Sequence, residues 1–583
     1  MHGLHIALHL LAAAAGDDGA PLVVHVEHQL LRLLLRIAEV RLEHVGHVAH
    51  EVDGIVVHDS DPGDVGFRNL DVLLADLRAF DLAGGDTHAS MLPPGTEARA
   101  NEPPQGVYRQ ADEIGVRSQR RNDTRGEPPV LESPGAPPPH DSRQADTGLP
   151  VSVPSTALFT DQYELTMLQA ALHAGTAERR SSFEVFTRRL PEGRRYGVVA
   201  GTGRVLDAVE NFRFDEQMLG FLREQHVVDE RTLEWLAGYR FRGDIRGYPE
   251  GEVYFPGSPV LRVEGTFAEC VLLETVILSI LNHDSAVAAA ASRMAVAAGD
   301  RPLIEMGARR THELAAVAAS RAAYIGGFAT TSDLAAGFRY GIPTVGTSAH
   351  SFTLLHDSER DAFTAQVDSL GSGTTLLVDT YDVAEAVRTA VEIAGPGLGA
   401  VRIDSGDLLL LAHRVRQQLD DLGAHGTKIV VTSDLDEYAI ASLAAAPVDA
   451  YGVGTQLVTG SGHPTCSMVY KLVARAEADE PDAPMRPVAK RSMGGKSSAG
   501  GAKWAARTLD ASGVAEAEVV GSGEVPSELA DRLLQVELVK GGEVVGREPL
   551  EAARERHRAA VAGLPMSAMQ LSRGEPVLPV EHR

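Results

Sequence analysis

A parallel β/α barrel, joined to an α+β part built from the segments on either side of it, is the fold class the chain predicts. Three observations carry that prediction. From Pro302 onward short apolar runs recur about every 20 to 30 residues, each followed by a helical pattern. The runs fall at 303–306, 324–328, 344–347, 376–379, 400–404, 429–433 and 450–453. Strand–helix alternation of this kind means a parallel sheet, and seven runs favour a closed barrel over an open sheet. Each run also ends in polar residues, where a barrel of this type carries its chemistry.

The elements before the barrel read in order. Thr160 or Asp161 can cap a helix that carries the apolar stripe Leu165, Leu168, Leu172 and stops at Gly175. Residues 183–189 read as a strand, followed by the turn Pro191, Glu192, Gly193. Helical patterns follow at 206–212, 216–225 and 230–237, and short strands broken by Pro and Gly at 245–263. A long apolar helix is expected over 268–298. Asn282, His283, Asp284 and Ser285 interrupt it, so no unbroken apolar run of about 20 residues exists and a buried helix is expected, not a membrane span.

The chain of 583 residues is long enough for several domains. An extension is expected over 1–150, an N-terminal α/β domain with the long buried helix over 151–300, and the barrel over 301–480. A C-terminal segment over 481–583 is expected to return to the small domain. The extension has a different texture. It holds half of the chain's 22 His, without metal-ligand spacing, and its Pro/Gly-rich end predicts disorder. Its apolar start lacks the basic residues of a signal peptide, with no Lys or Arg before Arg32. A net charge of -26 argues against nucleic-acid binding, yet a few local Arg can still hold a phosphate. Two cysteines, Cys270 and Cys466, cannot build a disulfide framework or a four-Cys zinc site, which fits a cytoplasmic protein.

The strand ends carry the chemistry. His350, among the small residues of 346–351, is the candidate for covalent or acid–base work. Arg309 and Arg402 can each grip a carboxylate or phosphate. Gly452, Gly454 and Thr455 offer backbone N–H groups before a helix, a phosphate cradle. Asp379, Asp404 and Asp434 can bind Mg²⁺ or ribose hydroxyls, although a single Asp after a strand is as readily the N-cap of the next helix. Together they suggest a phosphorylated sugar held with Mg²⁺. Residues 493–498 resemble the end of a P-loop, but the first Gly of that pattern falls on Lys490. The segment is instead a basic loop with Lys490, Arg491, Lys496 and Lys503, either solvated surface or a contact for nucleotide or pyrophosphate.

The set resembles nicotinate phosphoribosyltransferase, a type II phosphoribosyltransferase. The matching pieces are 159–163, 183–191, 305–310, 346–352, 377–382, 401–408, 433–437, 451–455 and 470–473, with the loop 490–503. They run in order through about 155–560 and leave 1–150 uncovered. The resemblance implies an irregular β/α barrel and the ATP-coupled transfer of phosphoribose from phosphoribosyl pyrophosphate to nicotinate. Nicotinate mononucleotide and pyrophosphate result, in NAD salvage. It implies that ATP phosphorylates His350 and that Asp379 orients His350 or helps bind Mg²⁺ with Asp404. Arg309 and Arg402 would line the substrate site with Ser405, Asp404 and Asp434 would sit near the ribose, and Gly454 and Thr455 would hold the 5′-phosphate. A homodimer is implied, with Tyr163 reaching the pyridine in the partner's site. The sibling that uses nicotinamide carries Asp where this chain has Ser332; Ser332 donates to a carboxylate and carries no charge, which favours nicotinate. Asp333 stands where Asn is usual, and Met306 where a stacking Phe is common. The alternatives are a nicotinamide or quinolinate phosphoribosyltransferase, or a non-catalytic sensor of nicotinate or a phosphosugar.

Overall fold

The computed structural model describes residues 154–480, 482–490 and 499–583. The expectations for 1–150 lie outside the described residues.

Six parallel strands form one sheet in the order Thr330–Thr331, Leu303–Glu305, Ala450–Val453, Lys428–Ser433, Ala400–Ile403, Thr375–Leu377. A parallel bridge from Thr331 to Thr344 adds the beginning of a seventh at one edge. Among the described residues no ladder joins Thr375–Leu377 back to Thr344, so the sheet is a curled partial barrel. The expected strand at 324–328 is instead the end of the helix Glu313–Ile325 and its turn, and the strand follows at Thr330–Thr331. Its apolar residues serve the core from the helix end and the turn after it: Ile325 and Phe328 are buried.

Strand residues alternate between two faces. Leu303, Leu376, Val378, Val401, Ile403, Ile429, Val431, Tyr451 and Val453 point into the large core beneath the helices. Ile304, Ala400, Val430 and Ala450 cluster on the opposite face. Continuing that period of two along each strand puts Met306, Asp379, Arg402, Asp404, Thr432, Asp434, Gly452 and Gly454 on this second face, at its C-terminal rim. The ladders align them, with Leu377 opposite Arg402 and Thr432 opposite Gly452.

The second sheet has seven strands in the order Met485–Pro487, Met468–Ala476, Arg180–Thr187, Leu261–Thr266, Asp244–Gly247, Val536–Lys540, Glu543–Val544. Every pairing in it is antiparallel. Segments from either side of the parallel-sheet region thus share one sheet, over a core that includes Phe183, Val185, Val263 and Tyr470.

The long apolar segment breaks into Phe267–Val271, opened by a Thr266/Glu269 capping box, and Glu274–Ala298. The second helix serves both cores. Val276, Ile277, Ile280 and Leu281 belong to the antiparallel-sheet core, and Val287, Ala288, Ala291 and Met294 to the barrel core. The polar residues 282–285 mark the crossing. Asn282 Oδ1 accepts from the Met468 N–H at 2.8 Å, Asp284 accepts from Arg204 at 2.8 and 3.0 Å, and Ser285 bonds the Ala200 backbone. By length and composition the segment could cross a bilayer, but 67% of its most apolar window is buried inside the fold.

The C-terminal helix Leu550–Ala562 buries His557 against this same helix, with Nε2 2.9 Å from Ser292 Oγ. Burial first, then the Arg554 charge, pushes the imidazole from 6.5 down to about 4. The folded value lies below the unfolded one, so the contribution is complete above pH 6.5 and is lost as the pH falls toward 4. The shift corresponds to about 3 kcal/mol. In His557→Gln the fall in melting temperature over that window is expected to flatten; an unchanged pH profile would refute this.

Candidate functional site

The segment after the Thr344 bridge reaches Ala349, the N-cap, and opens the short helix His350–Leu355. His350 is therefore a first-turn residue, its ring 40% exposed. Nδ1 lies 3.1 Å from Thr380 Oγ1. Nε2 lies 3.9 Å from Asp379 Oδ1 and 3.9 Å from Asp404 Oδ2. The group within hydrogen-bond reach of the ring is thus Thr380, while Asp379 faces it across a gap.

Asp379 is nearly closed off from solvent. Its Oδ2 accepts from the Asp404 N–H at 3.0 Å and Ser405 Oγ at 2.6 Å, whereas Oδ1 is buried with no hydrogen-bond partner. An unpaired buried carboxylate oxygen is costly, and it points to a partner the protein does not supply. Asp404 accepts from Thr432 Oγ1 and lies 3.7 Å from Arg402 Nη2. Arg402 Nη1 donates to Thr347 Oγ1 at 2.5 Å and to the Ser348 carbonyl at 3.1 Å, which fixes the residues just before His350. Its Nε is buried without a partner. Burial lowers the Arg402 pKa, against the raising effect of Asp404 and Asp379, and Arg309 lies near enough to lower it further.

None of the three strand-end Asp residues is a helix cap. The caps come two or three residues later, from Asp382, Asp407 and Asp436, each accepting backbone N–H bonds. Asp379, Asp404 and Asp434 are thereby free for other work. Asp434 and Ser332 are exposed, as is Arg309 in the turn Ala308–Arg310. Met306 donates its N–H to the Val453 carbonyl at 2.8 Å and covers Gly452. A Cβ on Gly452 would meet Met306 Sδ at 2.7 Å and Thr432 Cγ2 at 2.5 Å, so only Gly fits there. Gly454 caps the short helix that starts at Thr455.

Tyr163 stands apart from this rim. It lies in the first turn of Gln162–Ala174, 44% exposed, beside Glu274, and burial first, then that carboxylate, raises its pKa. Lys503, expected as surface or as a ligand contact, is neither: its Nζ is 2.7 Å from the buried Glu184. Residues 491–498 of that loop lie outside the described residues.

Two contributors carried no signal in the sequence. Thr380 sat inside a motif dominated by its Asp neighbours. Glu359 comes from a different helix, and its Oε1 is buried without a partner. Burial first, then Asp382 and Asp379, raises its carboxyl to about 7. Among the described residues no group of three or more His, Cys, Asp or Glu is placed to hold a metal. Chemically, the rim offers an imidazole beside two carboxylates, two guanidinium groups and a glycine-lined strand end. That set suits transfer between phosphorylated groups.

The curled parallel sheet, with its polar rim and the flanking antiparallel sheet, is the architecture of a type II phosphoribosyltransferase. Residues 158–282 match the nicotinate phosphoribosyltransferase (NAPRTase) N-terminal domain. The chain is 55% identical over 452 residues to nicotinate phosphoribosyltransferase pncB1 of Mycobacterium tuberculosis, covering 76% of this chain and 98% of that one. It is 38% identical over 332 residues to the Bacillus subtilis nicotinate phosphoribosyltransferase, covering 55% of this chain and 68% of that one. The crystal structure of human nicotinic acid phosphoribosyltransferase superposes with a TM-score of 0.62 at 26% identity, over 73% of this chain and 97% of the human one. The chain belongs to the nicotinate phosphoribosyltransferase family.

Proposed function

We propose that this protein transfers phosphoribose from phosphoribosyl pyrophosphate to nicotinate, coupled to ATP through a phosphohistidine at His350. The observation that carries the reading is His350 Nε2 facing Asp379 and Asp404 at 3.9 Å each, with Asp379 Oδ1 unpaired. The name of the 55% identical relative supports the substrate.

Three chemical steps follow. His350 Nε2 attacks the terminal phosphorus of ATP; an N–P bond forms, the P–O bond to ADP breaks, and ADP leaves. Thr380 holds Nδ1 and so keeps the ring turned toward the carboxylates. In the transfer, the bond from the ribose C1′ to pyrophosphate breaks and a bond from C1′ to the nicotinate nitrogen forms. Water then cleaves the N–P bond, releasing inorganic phosphate and restoring the free imidazole of His350. Arg402 and Arg309 hold anionic groups, Asp404 and Asp434 take the ribose side, Ser405 steadies Asp379, and Gly454 and Thr455 receive the 5′-phosphate. Ser332 and Met306 face the pyridine and favour its carboxylate form. Mg²⁺ fits the donor set, since it usually binds one or two carboxylates together with substrate phosphates. Asp379 and Asp404 would hold it, and it would neutralise pyrophosphate charge. The protein is expected to act in the cytoplasm as a homodimer, with Tyr163 and its exposed neighbours Phe159 and Met167 at the partner's site.

The test is mononucleotide formation by the full chain with Mg²⁺ and phosphoribosyl pyrophosphate, offering nicotinate, nicotinamide and quinolinate with and without ATP. Turnover of nicotinate alone, stimulated by ATP and lost on chelation of Mg²⁺, is expected. Turnover of another pyridine would move the assignment to a sibling activity, and binding without turnover would mean a sensor.

A further inference from the structure

Two rim segments that follow adjacent strands are tied together by one buried carboxylate, Glu437. The first segment follows Lys428–Ser433 and carries Asp434; Glu437 opens the next helix, Glu437–Ser442. The second follows Ala450–Val453, carries Gly454 and Thr455, and closes at Gly460 and Ser461. The turn is fastened to its own short helix, with the Gly460 N–H on the Leu457 carbonyl at 3.0 Å and the Ser461 N–H on Gln456 at 2.6 Å. Ser461 holds a left-handed φ of 52°, which a non-Gly residue keeps only when its surroundings impose it.

Glu437 supplies that constraint. Its Oε2 accepts from Ser461 Oγ at 2.7 Å. Its Oε1 accepts from Arg194 Nη1 at 2.9 Å and Arg293 Nε at 3.0 Å. Arg194 then reaches across to the Gly460 carbonyl at 2.9 Å. Arg293 bonds the Gly193 and Leu571 carbonyls at 2.9 and 3.0 Å, which anchors the cluster to the long helix and the C-terminal segment. All three charged side chains are at most 6% exposed. A cavity of about 170 Å³, lined by Asp436, Gln456 and Ser461 among others, opens beside the cluster. Beyond the last paired residues, Ser433 and Val453, polar bonds from Glu437 and Arg194 bridge the two segments, beside a shared core of Ile440, Leu457 and Val458.

We propose that Glu437 is a positioning residue for the phosphoribosyl group. It sets the spacing between the Asp434 segment, on the ribose side, and the Gly454–Thr455 segment, on the 5′-phosphate side. Glu437 touches no substrate; it acts through the two segments. The inference rests on the phosphoribosyl transfer proposed above. A displacement of about 1 Å in either segment is enough to weaken a grip of this kind.

Two variants test it. Ser461→Ala removes only the bond between the turn and Glu437. Glu437→Gln removes the charge shared by the two arginines, at some risk to folding. In both, the KM for phosphoribosyl pyrophosphate is expected to rise about tenfold, while the KM for nicotinate stays near the wild-type value. Calorimetric binding of phosphoribosyl pyrophosphate should weaken in parallel. If Ser461→Ala melts at the wild-type temperature and keeps both KM values, the proposal is overturned. A fall in the active fraction that tracks melting temperature, with both KM values unchanged, would make the cluster purely structural and also overturn it. Failure of the wild-type protein to bind phosphoribosyl pyrophosphate would instead overturn the functional reading, and this inference with it.

Discussion

His350→Ala is expected to lose the stimulation of nicotinate turnover by ATP, with the ATP-dependent rate falling about 10²–10⁴-fold, the range for a group that takes part directly in the chemistry. A slow ATP-independent transfer should survive. Arg402, Asp404, Asp434 and the glycines at the strand ends do not depend on the ring for their positions. The Arg402 bonds to Thr347 and Ser348, which fix the preceding residues, are also untouched. The melting temperature should hardly move, because the side chain is 40% exposed and makes one hydrogen bond, to Thr380. The same variant should fail to take up acid-labile label from ATP carrying a radioactive terminal phosphate. Retained ATP stimulation, or labelling equal to wild type, would remove His350 from the centre of the mechanism. His350→Asn adds a control, since an amide can keep a bond to Thr380 yet cannot form the phosphoryl linkage.

How far the sequence shows all this depends on whether the signal is local. The sheet was legible because parallel strands buried on both sides read as short apolar runs, and each run ends where its backbone reaches solvent. The misplaced strand at 324–328 shows the limit. Its apolar residues finish a helix, whereas the strand is two polar residues, Thr330 and Thr331, recognisable only once paired with Ile304 and Glu305. The site Asp residues were visible as strand ends, but their freedom from capping was not. That emerges only when Asp382, Asp407 and Asp436 are seen to take the caps. The Glu437 cluster was beyond reach, because Arg194 and Arg293 lie 243 and 144 residues from their shared carboxylate. Glu359 is the same case: nothing near it in the chain shows that the charges of Asp382 and Asp379 will raise its carboxyl.

Asp379→Asn separates what holds the site together from what acts in it. The wild-type carboxylate splits its work between its oxygens. Oδ2 is structural, accepting from the Asp404 N–H and Ser405 hydroxyl; Oδ1 is unpaired and faces His350. An asparagine placed with its carbonyl oxygen at the Oδ2 position keeps both structural bonds and sets a neutral amide where the charge faced the imidazole. Melting should therefore stay close to wild type, since both structural bonds are kept and the position that lacks a hydrogen-bond partner is filled by an amide nitrogen in place of an oxygen. Activity should fall about 10²–10³-fold, the cost of removing one preorganised electrostatic contact. If Oδ1 works through Mg²⁺, excess metal should restore part of the activity; if it works by orienting His350, added metal should do nothing and histidine labelling should drop with turnover. A variant that melts several degrees lower and loses activity in proportion would contradict the split, making Asp379 a scaffold for Asp404 and leaving Asp404 as the carboxylate that serves His350. The geometry argues against that last outcome, because scaffolding needs only Oδ2, and a group kept only for scaffolding would not leave its second oxygen buried without a hydrogen bond 3.9 Å from His350.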